Sequence, residues 1–224
     1  MTDPAATGVA PDGSPVEVYR ALPRPDEVDT IHAAIPPGAS ILDLGAGTGR
    51  FARPLVALGH PVTAVDHEPA MLEGLDEIDG LEPVVADITT LALGRRFDVV
   101  LLASHLIDDD DLGPRALAVA MAHMAPGGAV IGEVYPPGLD WEARVGKRST
   151  IGPVGITVTR ATVEEDHLDA AIRYDLDGRT WDQAFRTRLL DATSLGERLS
   201  AAGLTLDRWL DERRGWFLAR PQGA

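Results

Sequence analysis

Hydrophobic and polar positions follow two different patterns along the chain, and the change falls near residue 138. Before it, short apolar runs alternate with segments of helical spacing. This pattern predicts strands at 41–44, 61–66, 82–86, 97–103 and 129–135, and helices at 15–22, 25–35, 69–75 and 112–124. Strands and helices that alternate at this spacing are joined by right-handed crossovers, so we expect an α/β fold with a doubly wound sheet.

After residue 138, single apolar and polar residues alternate, which is typical of an antiparallel β meander. The alternation covers 156–163, 168–176 and 180–190, and a helix at 194–202 and strands at 204–210 and 216–219 follow. No flexible linker separates the two patterns, so residues 15–224 are predicted to form one domain with 138–190 as an insertion. Residues 1–14 are rich in Ala, Gly, Pro and Asp and have no apolar period, so we expect a disordered tail there.

Composition narrows the function classes. Hydrophobic residues make up 45% of the 224 residues, which is enough for a packed core. The formal charge of −15 argues against a nucleic-acid partner, since phosphate contacts need clustered Lys and Arg. The absence of cysteine excludes disulfides and thiolate metal sites. Because no apolar segment is long enough to span a bilayer and no signal peptide is recognisable, we expect a cytoplasmic protein without a membrane partner.

Three glycines at alternate positions, Gly45, Gly47 and Gly49, separate the first strand from a helical segment. Such a turn lets a ligand approach bare backbone at a helix N-terminus. The dinucleotide fingerprint requires a further glycine where this chain has Arg50. Asp43 would repel a pyrophosphate but attract an ammonium group. S-adenosylmethionine carries an ammonium and a sulfonium and no phosphate, so the stretch favours it over NAD.

The stretch Asp43-x-Gly45-x-Gly47-x-Gly49 resembles the glycine-rich first motif of the class I S-adenosylmethionine-dependent methyltransferases. The resemblance extends from about residue 31 to the C-terminus. It implies a Rossmann-like, seven-stranded sheet closed by an antiparallel hairpin, with the meander as a cover over the active site. It also implies S-adenosylmethionine as cofactor and a small-molecule acceptor that is methylated on nitrogen or oxygen.

The same resemblance implies roles for individual residues. Asp66, at the end of the second strand, would accept hydrogen bonds from the ribose hydroxyls, although an acid there could instead cap the next helix. Asp87 would accept from the adenine amino group, or else only form a turn. The predicted cofactor-binding residues are Tyr19, Asp43, Gly45, Ala46, Gly47, Arg50, Asp66, His67, Met71, Asp87, Ile88, Ala103 and Ser104. Met71 could equally belong to the helix core, and Arg50 could be an exposed helix residue instead of a carboxylate ligand.

Methyl transfer needs alignment of the reacting atoms, and it needs a general base only if the acceptor arrives protonated. His105, Glu133 and Tyr135 follow predicted strands and are the candidates for catalytic residues. His105 could instead cap the next helix. The run 103–107 lacks the Asn/Asp-Pro-Pro-aromatic motif of enzymes that methylate amides or nucleic-acid bases. The four carboxylates of 108–111 are interpreted as a helix cap, and no metal is predicted.

Two other functions are compatible with parts of this pattern. A protein that binds S-adenosylmethionine without transferring methyl would carry the same cofactor motifs. An NAD-dependent oxidoreductase is disfavoured by Asp43 and Arg50. The pattern also leaves open whether the protein is a monomer or a homodimer.

Overall fold

A seven-stranded sheet forms the centre of the computed structural model, which describes residues 9–10 and 13–223. Its strands are β1 (Ile41–Leu44), β2 (Val62–Asp66), β3 (Leu81–Val85), β4 (Phe97–Leu102), β5 (Met124–Glu133), β10 (Leu204–Trp209) and β11 (Trp216–Pro221). Their order is β10-β11-β5-β4-β1-β2-β3. Strands β1 to β5 pair in parallel, and β11 pairs antiparallel with both β5 and β10. This arrangement confirms the predicted doubly wound sheet with an antiparallel final hairpin.

The described residues form six α-helices: α1 (Val16–Ala21), α2 (Glu27–Ala34), α3 (Ala52–Ala57), α4 (Pro69–Leu72), α5 (Leu112–His123) and α6 (Ala192–Ala201). The central strands bury both of their faces, which explains their continuous apolar runs. On one face Ile41 packs in a core with Ile31 of α2 and Leu55 of α3. On the other face Leu42 packs in a core with Leu117 of α5 and other helix residues. The result is a three-layer sandwich.

A second sheet holds four antiparallel strands: β6 (Arg148–Ile151), β7 (Val154–Glu164), β8 (His167–Leu176) and β9 (Arg179–Arg188). Its buried face includes Val158, Leu168 and Ala170, which pack with Trp141. The predicted meander is therefore confirmed, but the prediction missed β6. All four residues of β6 are exposed, so this edge strand has no alternation of apolar and polar positions to reveal it.

Several predicted boundaries were wrong, and the largest error is at the start of β5, which begins at Met124 instead of residue 129. Helix α4 ends at Leu72 instead of residue 75, because Gly74 takes a left-handed conformation at φ +74°. Helix α5 ends at His123, since Met124 already pairs with Phe97 as the first residue of β5. Strand β5 ends at Glu133, so Tyr135 lies just beyond it in the following loop.

The N-terminal segment packs on the domain before α1 begins. Most of the predicted tail lies outside the described residues, but Ala10 is buried with Val16 and Met71. Gln183 of β9 donates a 3.2 Å hydrogen bond to the Ser14 hydroxyl. The segment thus contacts both the central domain and the second sheet. None of the helices in residues 9–10 and 13–223 is long and apolar enough to cross a membrane.

Candidate active site

The carboxyl ends of β1, β2 and β4 meet at one edge of the sheet, where open α/β folds bind ligands. The loop after β1 is anchored by the N–H groups of Gly45 and Ala46, which donate to the Val65 carbonyl at 2.8 and 2.9 Å. Gly45 has a φ angle of +72°, a conformation that favours glycine, and a Cβ atom there would lie 2.7 Å from a Leu106 methyl group. A Cβ atom on Gly47 would meet nothing within 4 Å, so its backbone borders open space.

Asp66 holds this loop in place. Its Oδ2 accepts the Gly47 N–H at 2.9 Å, and its Oδ1 accepts the Glu68 N–H at 3.0 Å. The cap of α4 is Glu68, whose side chain accepts the Ala70 N–H, so Asp66 is not the helix cap. Each Asp66 oxygen keeps capacity for a further hydrogen bond, as two ribose hydroxyls would require. His67 lies beside it, with Nδ1 3.5 Å from Asp66 Oδ1.

Asp43 is a buried carboxylate with an unsatisfied oxygen. It is 2% exposed, and its Oδ2 has no hydrogen-bond partner among the described residues. Burial, followed by the nearby charge of Asp66, raises the pKa of Asp43 to about 7. A buried, unpaired carboxylate is costly, and an incoming cation would relieve that cost. The site therefore fits a ligand with an ammonium group.

Of the residues predicted to bind adenine, Ile88 and Met71 are buried by packing within the protein, whereas Asp87 is exposed. Asp87 is exposed, and its Oδ1 accepts both the N–H and the hydroxyl of Thr89 at 2.7 Å, which lowers its pKa. Ile88 is buried in the core beside α5. Met71 is buried against Ala10, so packing accounts for Met71 without a ligand.

Helix α1 lies against the glycine loop. The Tyr19 carbonyl accepts the Thr48 hydroxyl at 3.2 Å, and Arg20 pairs with Glu73 near α4. A cavity of about 370 Å³ lies between these elements. Its lining residues are Tyr19, Arg20, Leu22, Arg24, Thr48, Gly49, Arg50, Arg53, Pro54 and Glu73. Arg50 is half-buried and its Nε atom has no hydrogen-bond partner among the described residues, so it is not a freely exposed helix arginine.

A strained turn follows β4. Ala103 is buried, whereas Ser104 and His105 have φ angles of +58° and +60°. Two consecutive non-glycine residues in the left-handed region are uncommon and cluster at functional sites. The Ser104 N–H donates to Glu133 Oε2 at 2.7 Å, and the His105 ring stacks on Tyr135 with centroids 3.6 Å apart. The three predicted catalytic candidates are thus brought together.

Carboxylates flank both nitrogens of His105. Nε2 lies 3.6 Å from Glu133 Oε1, and Nδ1 lies 3.4 Å from Asp108 Oδ2. Burial alone would lower the pKa of His105, but the charges of Glu133 and Asp108 outweigh it and raise that pKa. Burial, and then the same two carboxylates, raises the pKa of Tyr135 well above its usual value, so its hydroxyl stays protonated.

Asp108 corrects the interpretation of residues 108–111 as a helix cap. The capping is done by Asp109, whose Oδ1 accepts the Leu112 N–H at 2.7 Å. Asp108 is fully buried, accepts the Tyr135 N–H at 3.1 Å, and has its pKa raised by burial against the pull of His105. Its position three residues after His105 in a helical turn was the signal that could have paired them. Within the described residues no cluster of His, Asp and Glu could hold a metal ion.

The second sheet reaches this cluster through Trp141. The Trp141 ring meets Tyr135 edge-on at 5.1 Å, and Phe185 of β9 meets Trp141 at 6.4 Å. A smaller cavity of about 170 Å³ lies beside them. It is lined by Tyr135, Pro136, Pro137, Gly138, Leu139, Trp141, Leu189, Leu190 and Asp191.

The doubly wound sheet with its antiparallel hairpin, the open glycine loop and the buried acids at the ends of β1 and β2 define a class I S-adenosylmethionine-dependent methyltransferase. Residues 41–128 match the family model described as a methyltransferase domain. The chain is 30% identical over 179 residues to the cypemycin N-terminal methyltransferase of a Streptomyces species, covering 75% of this chain and 73% of that protein. The chain therefore belongs to this methyltransferase family.

Solved structures agree with this assignment. The CcbJ methyltransferase from Streptomyces caelestis has a TM-score of 0.72 at 21% identity, covering 92% of this chain and 95% of that one. CalS10, an amino pentose methyltransferase from Micromonospora echinaspora solved with S-adenosylmethionine bound, has a TM-score of 0.66 at 25% identity, covering 87% and 88%. The protein is an enzyme and S-adenosylmethionine is its cofactor. The alternative of an NAD-dependent oxidoreductase was wrong.

Proposed function

We propose that this enzyme methylates the nitrogen of a small-molecule amine. The observation that carries the proposal is the His105 imidazole, which lies between Glu133 and Asp108 and stacks on the Tyr135 ring. Carboxylates and an aromatic face complement an ammonium group. The comparisons add support, because the cypemycin enzyme is named an N-terminal methyltransferase and CalS10 an amino pentose methyltransferase.

In this proposal the cofactor lies across the carboxyl ends of β1 and β2. The sulfonium of the bound cofactor supplies an activated methyl group. Asp43 binds its ammonium group, which the unsatisfied, buried Oδ2 supports. Asp66 accepts the ribose hydroxyls, and Asp87 accepts the adenine amino group. The other proposed contacts come from Tyr19, Gly45, Ala46, Gly47, Arg50, His67, Met71, Ile88, Ala103 and Ser104.

The residues proposed to contact the methyl acceptor, His105, Glu133 and Tyr135, then prepare the nucleophile. An amine that arrives as ammonium must lose a proton before its nitrogen has a free electron pair, and His105 takes that proton at Nε2. Glu133 stabilises the imidazolium that results. The protonated Tyr135 hydroxyl offers a hydrogen-bond donor, and the second sheet, with Trp141, excludes water from one side. The net charge of −15 further favours a cationic acceptor over nucleic acid.

The test is a screen for S-adenosylhomocysteine formation with matched pairs of acceptors. The enzyme is assayed with each primary amine, including amino sugars and short peptides with a free N-terminus, and in parallel with the analogue in which a hydroxyl group replaces the amino group. We expect mass spectrometry to find one or two added methyl groups on amines alone. Methylation of a hydroxyl analogue with no reaction of its amine would contradict the proposal.

Single variants test the proposed cofactor-binding residues and the proposed catalytic residues independently. Asp66→Ala should abolish S-adenosylhomocysteine binding in calorimetry. His105→Ala should bind S-adenosylhomocysteine normally and lose turnover by roughly 100-fold, the usual contribution of a general base. Asp79→Asn, an exposed acid between α4 and β3, is the matched control and should match wild type in both assays.

A further inference from the structure

Asp108 lies behind His105 and Glu133, so its side chain has no access to a bound methyl acceptor. Its side chain is 0% exposed, whereas the side chains of His105 and Glu133 are 25% and 22% exposed. Asp108 Oδ2 lies 3.4 Å from His105 Nδ1 and also accepts the Tyr135 N–H at 3.1 Å. One buried carboxylate therefore contacts both the imidazole and the backbone of the residue on which that imidazole stacks.

The two carboxylates beside His105 are not equivalent. Glu133 is tied by Oε2 to the Ser104 N–H, and its Oε1 is 3.6 Å from His105 Nε2 on the partly exposed side. Asp108 is shielded from water, and its Oδ1 has no partner among the described residues. Less water screens the contact of Asp108 with Nδ1, whereas Glu133, whose charge raises the pKa of His105 most, faces Nε2 from the partly exposed side. The nearby Arg50 adds a weaker, opposing charge.

The strained turn gives a reason for such an anchor. Ser104 and His105 both occupy the left-handed region, which persists only where surrounding contacts hold it. No hydrogen bond of ordinary length reaches His105 Nδ1 from the described residues. The 3.4 Å approach of Asp108 is the contact at that nitrogen, and catalytic hydrogen bonds of this length often tighten when substrate binds.

We propose that Asp108 is a positioning residue that keeps the neutral His105 protonated on Nδ1, so that the Nε2 electron pair faces the acceptor. The inference rests on the proposed amine chemistry. In the proton transfer, Nε2 forms a bond to one ammonium hydrogen of the acceptor. The N–H bond breaks, and its electron pair stays on the acceptor nitrogen as the nucleophile.

The first test measures His105 directly by nitrogen-15 NMR of histidine-labelled enzyme bound to S-adenosylhomocysteine, with resonances assigned through His105→Gln. In wild type we expect the neutral imidazole to carry its proton on Nδ1. Asp108→Asn keeps the volume and an oxygen for the Tyr135 N–H but removes the charge. The pKa of His105 should then fall by roughly one unit, while Glu133, Tyr135 and Arg50 still face the ring.

Asp111→Asn is the matched control, because Asp111 is an exposed carboxylate in the same loop and should leave the His105 titration unchanged. Proton placement on Nε2 in wild type would overturn the proposal. An unshifted His105 pKa in a folded Asp108→Asn enzyme would overturn it as well. If that variant does not fold, the wild-type tautomer decides alone.

These readouts need no acceptor, so a failure to methylate any amine would refute the proposed function and leave the positioning role to its own test. With an accepted amine, Asp108→Asn should lower kcat by about 10- to 100-fold with little change in KM. Its pH–rate profile should move with the His105 pKa. A purely structural role would lower thermal stability without moving that profile.

Discussion

Asp43→Asn should stabilise the ligand-free enzyme at neutral pH and lower its affinity for the cofactor. Asp43 is buried in β1 with one carboxylate oxygen unsatisfied within the described residues. Its ionised form is therefore disfavoured unless a cation is present. Asparagine has nearly the same shape and no charge to desolvate, so the variant escapes this penalty.

The magnitude follows from the pKa of Asp43, which folding raises from 3.8 to about 7. Because the folded-state value lies above the unfolded one, the folded protein binds the extra proton, and stability from this group falls as pH rises between these values. At about 1.4 kcal/mol per unit, the full loss approaches roughly 4 kcal/mol at pH 8, of which about 2.5 kcal/mol develops between pH 5 and pH 8. Local water penetration reduces this, so we expect about 1–2.5 kcal/mol.

Urea unfolding of wild type and Asp43→Asn at pH 5 and pH 8 measures this difference. Packing effects of the amide do not depend on pH, so they cancel when the free-energy differences at the two pH values are compared. Asp98→Asn is the control. Hydrogen bonds from the Ser40 N–H and hydroxyl lower the pKa of Asp98, so the ionised carboxylate stabilises the fold fully at both pH 5 and pH 8. The loss of stability in Asp98→Asn should therefore be equal at the two pH values. A difference for Asp43→Asn that is equal at both pH values would refute the reasoning.

The same variant tests the proposed ammonium contact. A hydrogen bond to a charged group contributes about 1.5–3 kcal/mol, so S-adenosylhomocysteine should bind at least tenfold more weakly to Asp43→Asn at pH 7. Calorimetry at pH 7 keeps the ligand amine mostly protonated. Unchanged affinity alongside the expected gain in stability would show that Asp43 does not contact the ligand.

Three further predictions concern the fold. Gly132→Ala should destabilise by about 1–3 kcal/mol in urea, since its Cβ would lie 2.4 Å from Phe217 Cζ, and Phe217→Leu in the same chain should recover part of the loss. Asp191→Ala removes the acceptor for the Thr193 and Ser194 N–H groups at the start of α6 and should lower Tm by about 2–4 °C. Arg173→Ala breaks an exposed ion pair and should leave Tm unchanged.

The sequence was informative where one local pattern has one structural meaning. Buried parallel strands need apolar residues on both faces, so 41–44 and 97–102 were recognisable as strands without reference to the rest of the chain. The glycine loop was recognisable because Gly45, Gly47 and Gly49 stand at alternate positions, and all three take positive φ angles that favour glycine. Strand β6 was not recognisable, since an edge strand with four exposed residues leaves no apolar signature.

The candidate site was harder to predict because its members come from distant parts of the chain. His105, Glu133 and Tyr135 were identified separately, each at the end of a predicted strand, but no local pattern predicted that two of their rings stack with centroids 3.6 Å apart. Asp108 was misread because four adjacent carboxylates look alike in sequence. Only the turn at 106–108 sends one of them inward and leaves Asp109 to cap α5.

The unsatisfied polar atoms of the described residues are not scattered through the protein. Buried side-chain atoms without a hydrogen bond occur at Asp43, Arg50, His105, Asp108 and Trp141. All five residues lie at the glycine loop or around His105 and Tyr135. Among the described residues, the two hydrophobic cores that flank the central sheet contain no such unsatisfied atom. Folded proteins leave few such groups unpaired, and those that remain call for a specific explanation. Asp43 and Arg50 lie where the cofactor is proposed to bind, so a charged ligand can complete their hydrogen bonds, whereas Asp108 is closed to the ligand and faces His105 instead.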